Sequence, residues 1–212
     1  MRSAHEREAQ VTRRLVRGEK LVLASHNRGK VAEFDLLLAG SGVTLVSAAA
    51  LDLAEPDETE DSFAGNARLK ACAATKTLGV PALADDSGFC VRALGGAPGI
   101  YSARWAGPGR DFAVAMQRVH DAVAACPDPS DDAAWFISVL CLAWPDGHTE
   151  RFEGRIDGTM HWPPRGTNGH GYDPVFCPAG RATSFAEMTD PEKNAISHRA
   201  HSFALFAAAC LP

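Results

Sequence analysis

The alternation of apolar and polar residues predicts strands and helices that follow one another through the first half of the chain. Residues 21–24 are a short apolar run, typical of a buried strand. A polar loop follows, and then a helix from Lys30 to Gly40 with apolar residues at helical spacing. Residues 43–46 are predicted to be the next strand. Ser62 is a suitable N-cap for a second helix that continues to Leu78.

The second half of the chain also combines the patterns of strands and helices. Residues 81–84 predict a strand that leads into an acidic loop, with residues 89–94 as its partner. The remaining predicted elements are a helix over residues 111–125, strands over 135–143 and 149–156 joined by a turn at 145–147, an irregular loop over 163–172, and a final helix over 191–209. This order predicts an α/β protein with a mixed sheet.

Composition narrows the class of protein. The chain has 212 residues, of which 46% are hydrophobic and 22% charged, and its formal net charge is -5. These values are typical of a globular domain and exclude a disordered chain. The acidic balance argues against a duplex-DNA-binding protein, which would present a basic face. No apolar run approaches the roughly 20 residues that span a bilayer, and no signal-peptide core is present.

The cysteines indicate the cellular compartment of the protein, and the N-terminal residues indicate where its domain begins. The 6 cysteines are scattered without a CxxC pair, which favours buried thiols in a reducing cytoplasm over a zinc site. Residues 1–18 are polar and rich in arginine, so they are predicted to be a flexible N-terminal extension. A basic arm that binds nucleic acid is the alternative. Residues 19–212 are predicted to form a single domain.

The first candidate chemical element lies between the first strand and the first helix. It consists of Ser25, His26, Asn27, Arg28, Gly29 and Lys30. A loop at this point presents free backbone N–H groups and the positive end of a helix dipole, and these bind phosphate. Lys30 would add a positive charge. The segment lacks the GxxxxGK[ST] pattern of a Walker A loop, and alone it is more typical of an ordinary polar loop with a solvated lysine.

A second group combines carboxylates with a lysine. Asn66 and Lys70 are four residues apart on the second helix and so share a face. Glu58 belongs to an acidic stretch that is either solvated or contributes a metal ligand. Asp85 and Asp86 follow an apolar strand, where neighbouring side chains point to opposite faces. One aspartate is therefore predicted to face the site and the other to brace the loop; a carboxylate-capped turn is the alternative.

Two further segments could contact a nucleotide. In the first, His170, Gly171, Tyr172 and Asp173 form a glycine-framed segment, in which Tyr172 could stack on a base. In the second, Lys193, His198 and Arg199 place three potential cations within seven residues, and arginine suits phosphate or carbonyl oxygens. A tight turn and a charged helix surface are the ordinary interpretations. Taken together, the cations, carboxylates and aromatic side chain indicate a nucleotide with a divalent metal.

Five segments, in consistent order over residues 20–210, resemble the inosine triphosphate pyrophosphatase family. They are SHNRGKVAEF, SFAGNARLKA, ADDSGFCVRALGGAPGIYSARWAG, GHGYDPVF and AEMTDPEKNAISHR. Members of this family hydrolyse ITP, dITP and XTP to the monophosphate and pyrophosphate, which keeps these nucleotides out of DNA and RNA. The resemblance implies an elongated, two-lobed α/β fold with a central active-site cleft, a homodimer, and Mg²⁺ as cofactor, with no nucleic-acid or membrane partner.

The resemblance also assigns roles to individual residues. Asp86 matches the catalytic base and metal-linked aspartate, and Glu58 matches an acidic metal residue. The matching substrate-binding positions are Ser25, His26, Asn27, Arg28, Gly29, Lys30, Asn66, Lys70, Ser87, His170, Gly171, Tyr172, Asp173, Lys193, His198 and Arg199. Lys30 and Lys70 are expected to offset phosphate charge. Arg199, His198 and backbone N–H groups are candidate donors to the 6-oxygen of hypoxanthine, which adenine lacks.

The chain departs from the family pattern at two positions, and two other functions remain open. His170 stands where the family commonly has a bulky aromatic residue, and Trp105 stands where tyrosine or phenylalanine is usual. A Maf-like nucleotide pyrophosphatase is one alternative, although it would carry Ser-x-Ser-Pro-Arg after the first strand. A catalytically silent nucleotide-binding sensor is the other.

Overall fold

The computed structural model describes residues 12–212. Within them the chain forms six strands and six α-helices. The strands are β1 (Lys20–Leu23), β2 (Thr44–Ser47), β3 (Ala82–Val91), β4 (Ala133–Ala143), β5 (Thr149–Met160) and β6 (Phe176–Pro178). The helices are α1 (Arg28–Leu38), α2 (Phe63–Leu78), α3 (Ser102–Trp105), α4 (Phe112–Ala124), α5 (Asp190–Asn194) and α6 (His198–Cys210). None of these helices is long and apolar enough to cross a membrane.

All six strands join one mixed sheet in the order β2-β1-β3-β4-β5-β6. β1 is parallel to both β2 and β3, whereas the pairs β3–β4, β4–β5 and β5–β6 are antiparallel. β3 pairs with β4 over its full length, from Ala82 opposite Ala143 to Val91 opposite Ala134. The predicted α/β class with a mixed sheet is therefore confirmed.

Helix α2 begins and ends where the sequence predicts, because both ends are capped. The Ser62 hydroxyl oxygen accepts a hydrogen bond from the Gly65 N–H at 3.2 Å. Gly79 adopts a left-handed conformation with φ of 66°, and its N–H donates to the Thr75 carbonyl oxygen. The predicted hairpin between β4 and β5 is also confirmed, with β5 extending four residues beyond the predicted end.

The predicted pairing of residues 81–84 with residues 89–94 is wrong. Residues 82–91 form one continuous strand, β3, which pairs with β4 on one side and β1 on the other, and residues 92–94 form a 3-10 turn after it. A loop was expected because two adjacent carboxylates are costly inside a sheet. Here Asp85 and Asp86 lie in mid-strand because each meets a lysine from a neighbouring helix.

The predicted final helix is divided, and the first helix begins earlier than expected. Ser197 has extended backbone angles and its side chain caps α6 by accepting from the Ala200 N–H, so the chain turns between α5 and α6. Helix α1 begins at Arg28 rather than Lys30, because Asn27 caps it. The break places His198 and Arg199 in the first turn of α6, which points them into the interior.

Two apolar regions lie at opposite ends of the long strands. Near β1, helix α2 covers one face of the sheet with small residues such as Ala71, and α6 covers the other with Phe203 and Phe206. At the far end, Phe89 and Phe136 belong to a cluster that also includes α4. The polar middle of β3 lies between these regions, and a cleft opens there.

The predicted N-terminal extension differs from the structure where it can be compared. Residues 1–11 lie outside the described residues. Leu15 is buried, and its N–H donates to the Cys210 carbonyl oxygen at 2.7 Å. Arg14 donates to the carbonyl oxygens of Leu211 and Ala208. The segment around Leu15 is therefore docked on α6, in contrast to the flexibility expected for this part.

Helix α6 lies so close to β5 that we expect Gly154→Ala to lower the free energy of unfolding by about 1–3 kcal/mol. A Cβ atom at Gly154 would overlap the His198 carbonyl oxygen and the Ser202 nitrogen, which are backbone atoms. Urea denaturation would measure the change. Gly109→Ala is the matched control, since nothing lies within 4 Å of its Cβ position and its φ is not positive. Equal stability of both variants would contradict the close approach.

Candidate active site

The cleft beside the middle of β3 has a volume of about 990 Å³, including its open mouth. Most of the predicted site residues line it, although they come from distant parts of the chain. Those on the wall are Ser25, Asn27, Lys30, Glu58, Lys70, Asp86, Ser87, His170, Gly171, Tyr172, Asp173, Lys193, His198 and Arg199. Among the predicted residues, His26, Arg28, Gly29 and Asn66 are not on the wall.

The alternation of side chains along β3 separates the two aspartates. Asp85 shares a strand face with Leu83, which packs in the cluster that contains α1 and α6. Asp86 shares a face with Ala84, which packs against α2. Each carboxylate therefore meets cations from a different set of helices, and both are buried.

Asp85 is held by cations and hydroxyl groups on both oxygens. Lys30 Nζ and Arg199 Nε lie 3.0 and 3.1 Å from Asp85 Oδ2, and the Ser138 hydroxyl donates to Oδ1 at 2.8 Å. Burial alone would raise the pKa of Asp85, but the charges of Lys30 and Arg199 outweigh it and hold the pKa well below its ordinary value. Asp85 therefore stays ionised and positions Lys30 and Arg199.

Asp86 has one engaged and one unengaged oxygen. Lys70 Nζ lies 2.8 Å from Asp86 Oδ1 and 2.6 Å from Glu58 Oε1, so the lysine bridges both carboxylates. Asp86 Oδ2 is buried and has no hydrogen-bond partner among the described residues. Burial raises the pKa of Asp86 against the opposing effect of Lys70. A buried carboxylate oxygen without a partner requires a ligand such as a cation or a proton donor.

The donor set fits a hard divalent cation that also binds phosphate. Asp86 and Glu58 offer two carboxylates beside the cleft, and Mg²⁺ prefers one or two carboxylates with phosphate oxygens and water. Burial tends to raise the pKa of Glu58, but Lys70 and Arg104 lower it overall. In residues 12–212 no group of three or more His, Cys, Asp and Glu side chains forms a metal site from protein ligands alone. The remaining ligands would come from the substrate and water.

The loop before α1 is organised largely by its own hydrogen bonds. Asn27 Oδ1 accepts from the N–H groups of Gly29 and Lys30, and the Ser25 hydroxyl oxygen accepts from the Asn27 N–H. Ser25 and Asn27 remain on the cleft wall, while Arg28 and Gly29 are exposed away from it. His26 instead lies 3.6 Å from Glu55. The loop thus contributes mainly Ser25, Asn27 and Lys30 to the cleft.

The opposite end of the cleft is organised by Asp173. Asp173 Oδ2 accepts from the His170 N–H at 2.7 Å and from Lys193 Nζ at 2.5 Å. The His198 ring stacks on Phe136 with ring centroids 5.0 Å apart. Burial and the charge of Arg199 lower the pKa of His198 well below its ordinary value, so the imidazole is neutral, and its Nδ1 has no partner among the described residues. This end offers a flat surface with a small number of polar atoms.

Two predicted residues serve different roles from those expected. The Tyr172 ring stacks on Phe89 with centroids 5.0 Å apart, and its hydroxyl donates to the Ser102 carbonyl oxygen at 2.9 Å. Tyr172 is therefore a buried support of the wall rather than an open stacking platform. Asn66 is buried and accepts from the Glu60 N–H at 3.2 Å, which orders the segment that carries Glu58.

Several residues of the site were not predicted. Glu33 lies 2.5 Å from Arg199 Nη1, and Ser138 binds Asp85. Neither has a distinctive sequence signal, since each is a common polar residue within a regular element. Gly88 had a detectable signal: a Cβ atom there would overlap the Gly99 carbonyl oxygen, so the ADDSG segment requires glycine.

A mixed α/β sheet with buried lysines, arginine and two carboxylates around one cleft is suited to binding a polyphosphate together with a flat organic group. The chain belongs to the Ham1 family, whose sequence model matches residues 21–209. It is 57% identical over 199 residues to the dITP/XTP pyrophosphatase of Gluconobacter oxydans, with 94% of each chain covered.

Solved structures show the same fold. A HAM1 protein from Coxiella burnetii superposes with a TM-score of 0.84 at 37% identity, covering 90% of this chain and 97% of the other. A nucleoside-triphosphatase, also described as a dITP/XTP pyrophosphatase, from Mycobacterium abscessus superposes with a TM-score of 0.74 at 40% identity, covering 89% of this chain and 98% of the other.

Proposed function

We propose that this protein is a Mg²⁺-dependent pyrophosphatase that hydrolyses ITP, dITP and XTP to the monophosphate and pyrophosphate, and so keeps these nucleotides out of DNA and RNA. The observation that carries the proposal is the unpartnered Asp86 Oδ2 in a cleft whose other charges are arranged around it. The printed activity of the Gluconobacter oxydans relative supports the same reaction and substrate class.

Asp86 and Glu58 would hold the metal ion at the phosphate end of the cleft. When bound there, Mg²⁺ supplies charge neutralisation and Lewis-acid polarisation of the phosphoryl oxygens. Lys70 already bridges the two carboxylates, which holds both side chains in place before substrate arrives. Preorganisation of this kind reduces the cost of ordering the site when the triphosphate binds.

Asp86 acts as the general base in this proposal. A water oxygen attacks phosphorus, its proton goes to Asp86 Oδ2, and the bond to the departing pyrophosphate breaks. An ordinary aspartate has a pKa near 3.9 and is a weak base at neutral pH. In the protein without metal, burial raises the pKa of Asp86, so its carboxylate accepts a proton more readily than an ordinary aspartate does. Lys30 and Lys70 on the same cleft wall would lie beside the developing phosphate charge.

The base would bind between His170 and the wall that carries His198. His198 Nδ1 is an unpartnered polar atom, and a neutral imidazole can donate to the 6-oxygen of hypoxanthine or xanthine. Desolvation and the charge of Lys193 lower the pKa of His170, so this imidazole is also neutral and can stack on a purine. Arg199 is occupied by Asp85, Glu33 and Ser87, which favours His198 as the donor to the base.

We propose that residues 19–212 act as one two-lobed domain, that the protein is a homodimer, and that it works in the cytoplasm without a nucleic-acid or membrane partner. The homodimer rests on the family resemblance. All 6 cysteines are free, which supports a reducing compartment. The match to the Ham1 family disfavours the Maf-like alternative. The assay below distinguishes an active enzyme from a catalytically silent sensor.

The test is release of pyrophosphate from ITP, dITP, XTP, GTP and ATP, with and without Mg²⁺. We expect turnover of ITP, dITP and XTP only with Mg²⁺, and at least a hundredfold lower kcat/KM for ATP, because a donor facing the 6-amino group is left unpaired. Comparable turnover of ATP and ITP would contradict the selectivity. Tight binding of ITP without pyrophosphate release would instead identify a sensor.

A further inference from the structure

The charges on the cleft wall balance before any substrate binds. The five cations are Lys30, Lys70, Arg110, Lys193 and Arg199, and the five carboxylates are Glu55, Glu58, Asp85, Asp86 and Asp173. A nucleoside triphosphate brings about four negative charges. Close packing of such an anion against a wall with no net charge would be unfavourable unless some cations are free to face it.

Four of the five wall cations already have carboxylate partners. Lys30, Lys70 and Lys193 each lie within 3.0 Å of an aspartate oxygen, and Arg199 lies between Asp85 and Glu33. Arg110 is different. Its guanidinium makes no hydrogen bond and no ion pair with any other described residue.

The backbone holds Arg110 in a conformation that arginine rarely adopts. Its φ is 50°, in the left-handed region, and its N–H donates to the Gly107 carbonyl oxygen at 3.0 Å. Asp111 then caps α4, and Phe112 lies on the cleft wall. Glycine would fit this backbone with less strain than arginine, so exchanging the two removes the side chain without straining the turn.

Arg110 lies on the side of the cleft that carries Glu58, where the proposed function places the phosphates. It lines both the cleft and an adjoining outer cavity of about 1340 Å³, and the two cavities also share Glu55 and Glu58. Glu58 contacts the Lys70 ammonium that holds Asp86. The neighbouring Arg104 is not equally available, since it donates to Glu58 and lies over the Tyr101 ring.

We propose that Arg110 is a substrate-binding residue that contacts the terminal phosphates at the mouth of the cleft. This inference rests on the proposed function for the identity of the substrate, but the contact is with the pyrophosphate group alone. A planar guanidinium binds two phosphate oxygens at once, and an exposed arginine can follow the leaving pyrophosphate outward. Arg110 thereby supplies the uncompensated positive charge that the rest of the wall lacks.

Arg110→Gly tests the contact without straining the backbone, because glycine favours positive φ. We expect KM for ITP and the Kd for inorganic pyrophosphate with Mg²⁺ to rise about tenfold, which corresponds to about 1.4 kcal/mol. The affinity for IMP, measured by calorimetry, and the thermal midpoint should not fall. Arg110→Lys should restore part of the pyrophosphate affinity, because it keeps the charge. Arg92→Ala is the control, since Arg92 is exposed and pairs with Asp131 away from the cleft.

Unchanged pyrophosphate affinity in Arg110→Gly would overturn the inference, and so would an equal loss of affinity for IMP, which has no terminal phosphates. The proposed function fails separately, by the absence of ITP hydrolysis in the unaltered protein. In that case the calorimetric comparison still decides the role of Arg110, because it needs only pyrophosphate and Mg²⁺. Failure of the unaltered protein to bind pyrophosphate would also overturn the inference about Arg110, whereas the proposed function would still be decided by ITP hydrolysis.

Discussion

Replacing Asp86 with asparagine is expected to lower kcat for ITP hydrolysis by about 10³-fold, within the range for loss of a general base. The asparagine amide has the same shape but cannot accept a proton at neutral pH. Lys70 keeps its 2.6 Å contact with Glu58, so the α2 side of the cleft stays ordered. Steady-state pyrophosphate release with saturating ITP and Mg²⁺ measures the loss.

Stability separates this catalytic role from a structural one. Burial raises the pKa of Asp86, so its ionised form costs free energy in the fold at neutral pH, and a neutral asparagine removes that cost. We therefore expect the thermal midpoint of Asp86→Asn to be unchanged or higher. Asp61→Asn is the control, because Asp61 is exposed in the same acidic stretch. A variant at position 86 that retains near-normal kcat would remove Asp86 from the mechanism.

Short sequence patterns predicted the helices and strands whose ends are set by residues next to them in the sequence. Helix α2 is a clear example, since Ser62 and Gly79 cap it directly. The strand β1 and the β4–β5 hairpin follow from apolar runs and a turn. The carboxylate pair was also recognised as chemically significant, although as part of a loop.

Long-range charge pairing could not be predicted in the same way. Asp85 lies within β3 only because Lys30, 55 residues earlier, and Arg199, 114 residues later, neutralise it. No local pattern encodes such contacts, so the sequence favoured a turn. The same reason explains why Glu33 and Ser138 were missed, and why Arg199 was assigned to the base although the fold occupies it with Asp85 and Glu33.

The strongest effect on stability is expected from Asp85→Asn, which should lower the free energy of unfolding at pH 7 by about 3–5 kcal/mol. The substitution leaves Lys30 without its carboxylate and removes one of two partners of Arg199. Both cations are largely or fully buried, so water cannot solvate them in place of the lost carboxylate. Urea denaturation of the metal-free protein measures the loss, and Asp157→Asn, in an exposed pair with Arg155, should change it by less than about 1 kcal/mol.

The pH dependence of this loss follows from the direction of the pKa shift. The folded pKa of Asp85 lies below its unfolded value of about 3.9, so the stabilisation is complete well above pH 3.9 and decreases as the pH falls toward the folded pKa. The difference between the unaltered protein and Asp85→Asn should therefore be smaller by roughly 1 kcal/mol at pH 3 than at pH 7. A difference that stays constant would show that Asp85 is not ionised in the fold.

A double-mutant cycle distinguishes the ion pair from a simple packing effect. Lys30→Met removes the cation and keeps most of the side-chain volume, so Asp85→Asn should cost much less in that background. We expect a coupling free energy above about 1 kcal/mol, because the two groups are 3.0 Å apart and Asp85 is buried. Additive losses would mean that Lys30 and Asp85 act independently, and the internal charge network would then not be what allows two adjacent aspartates inside β3.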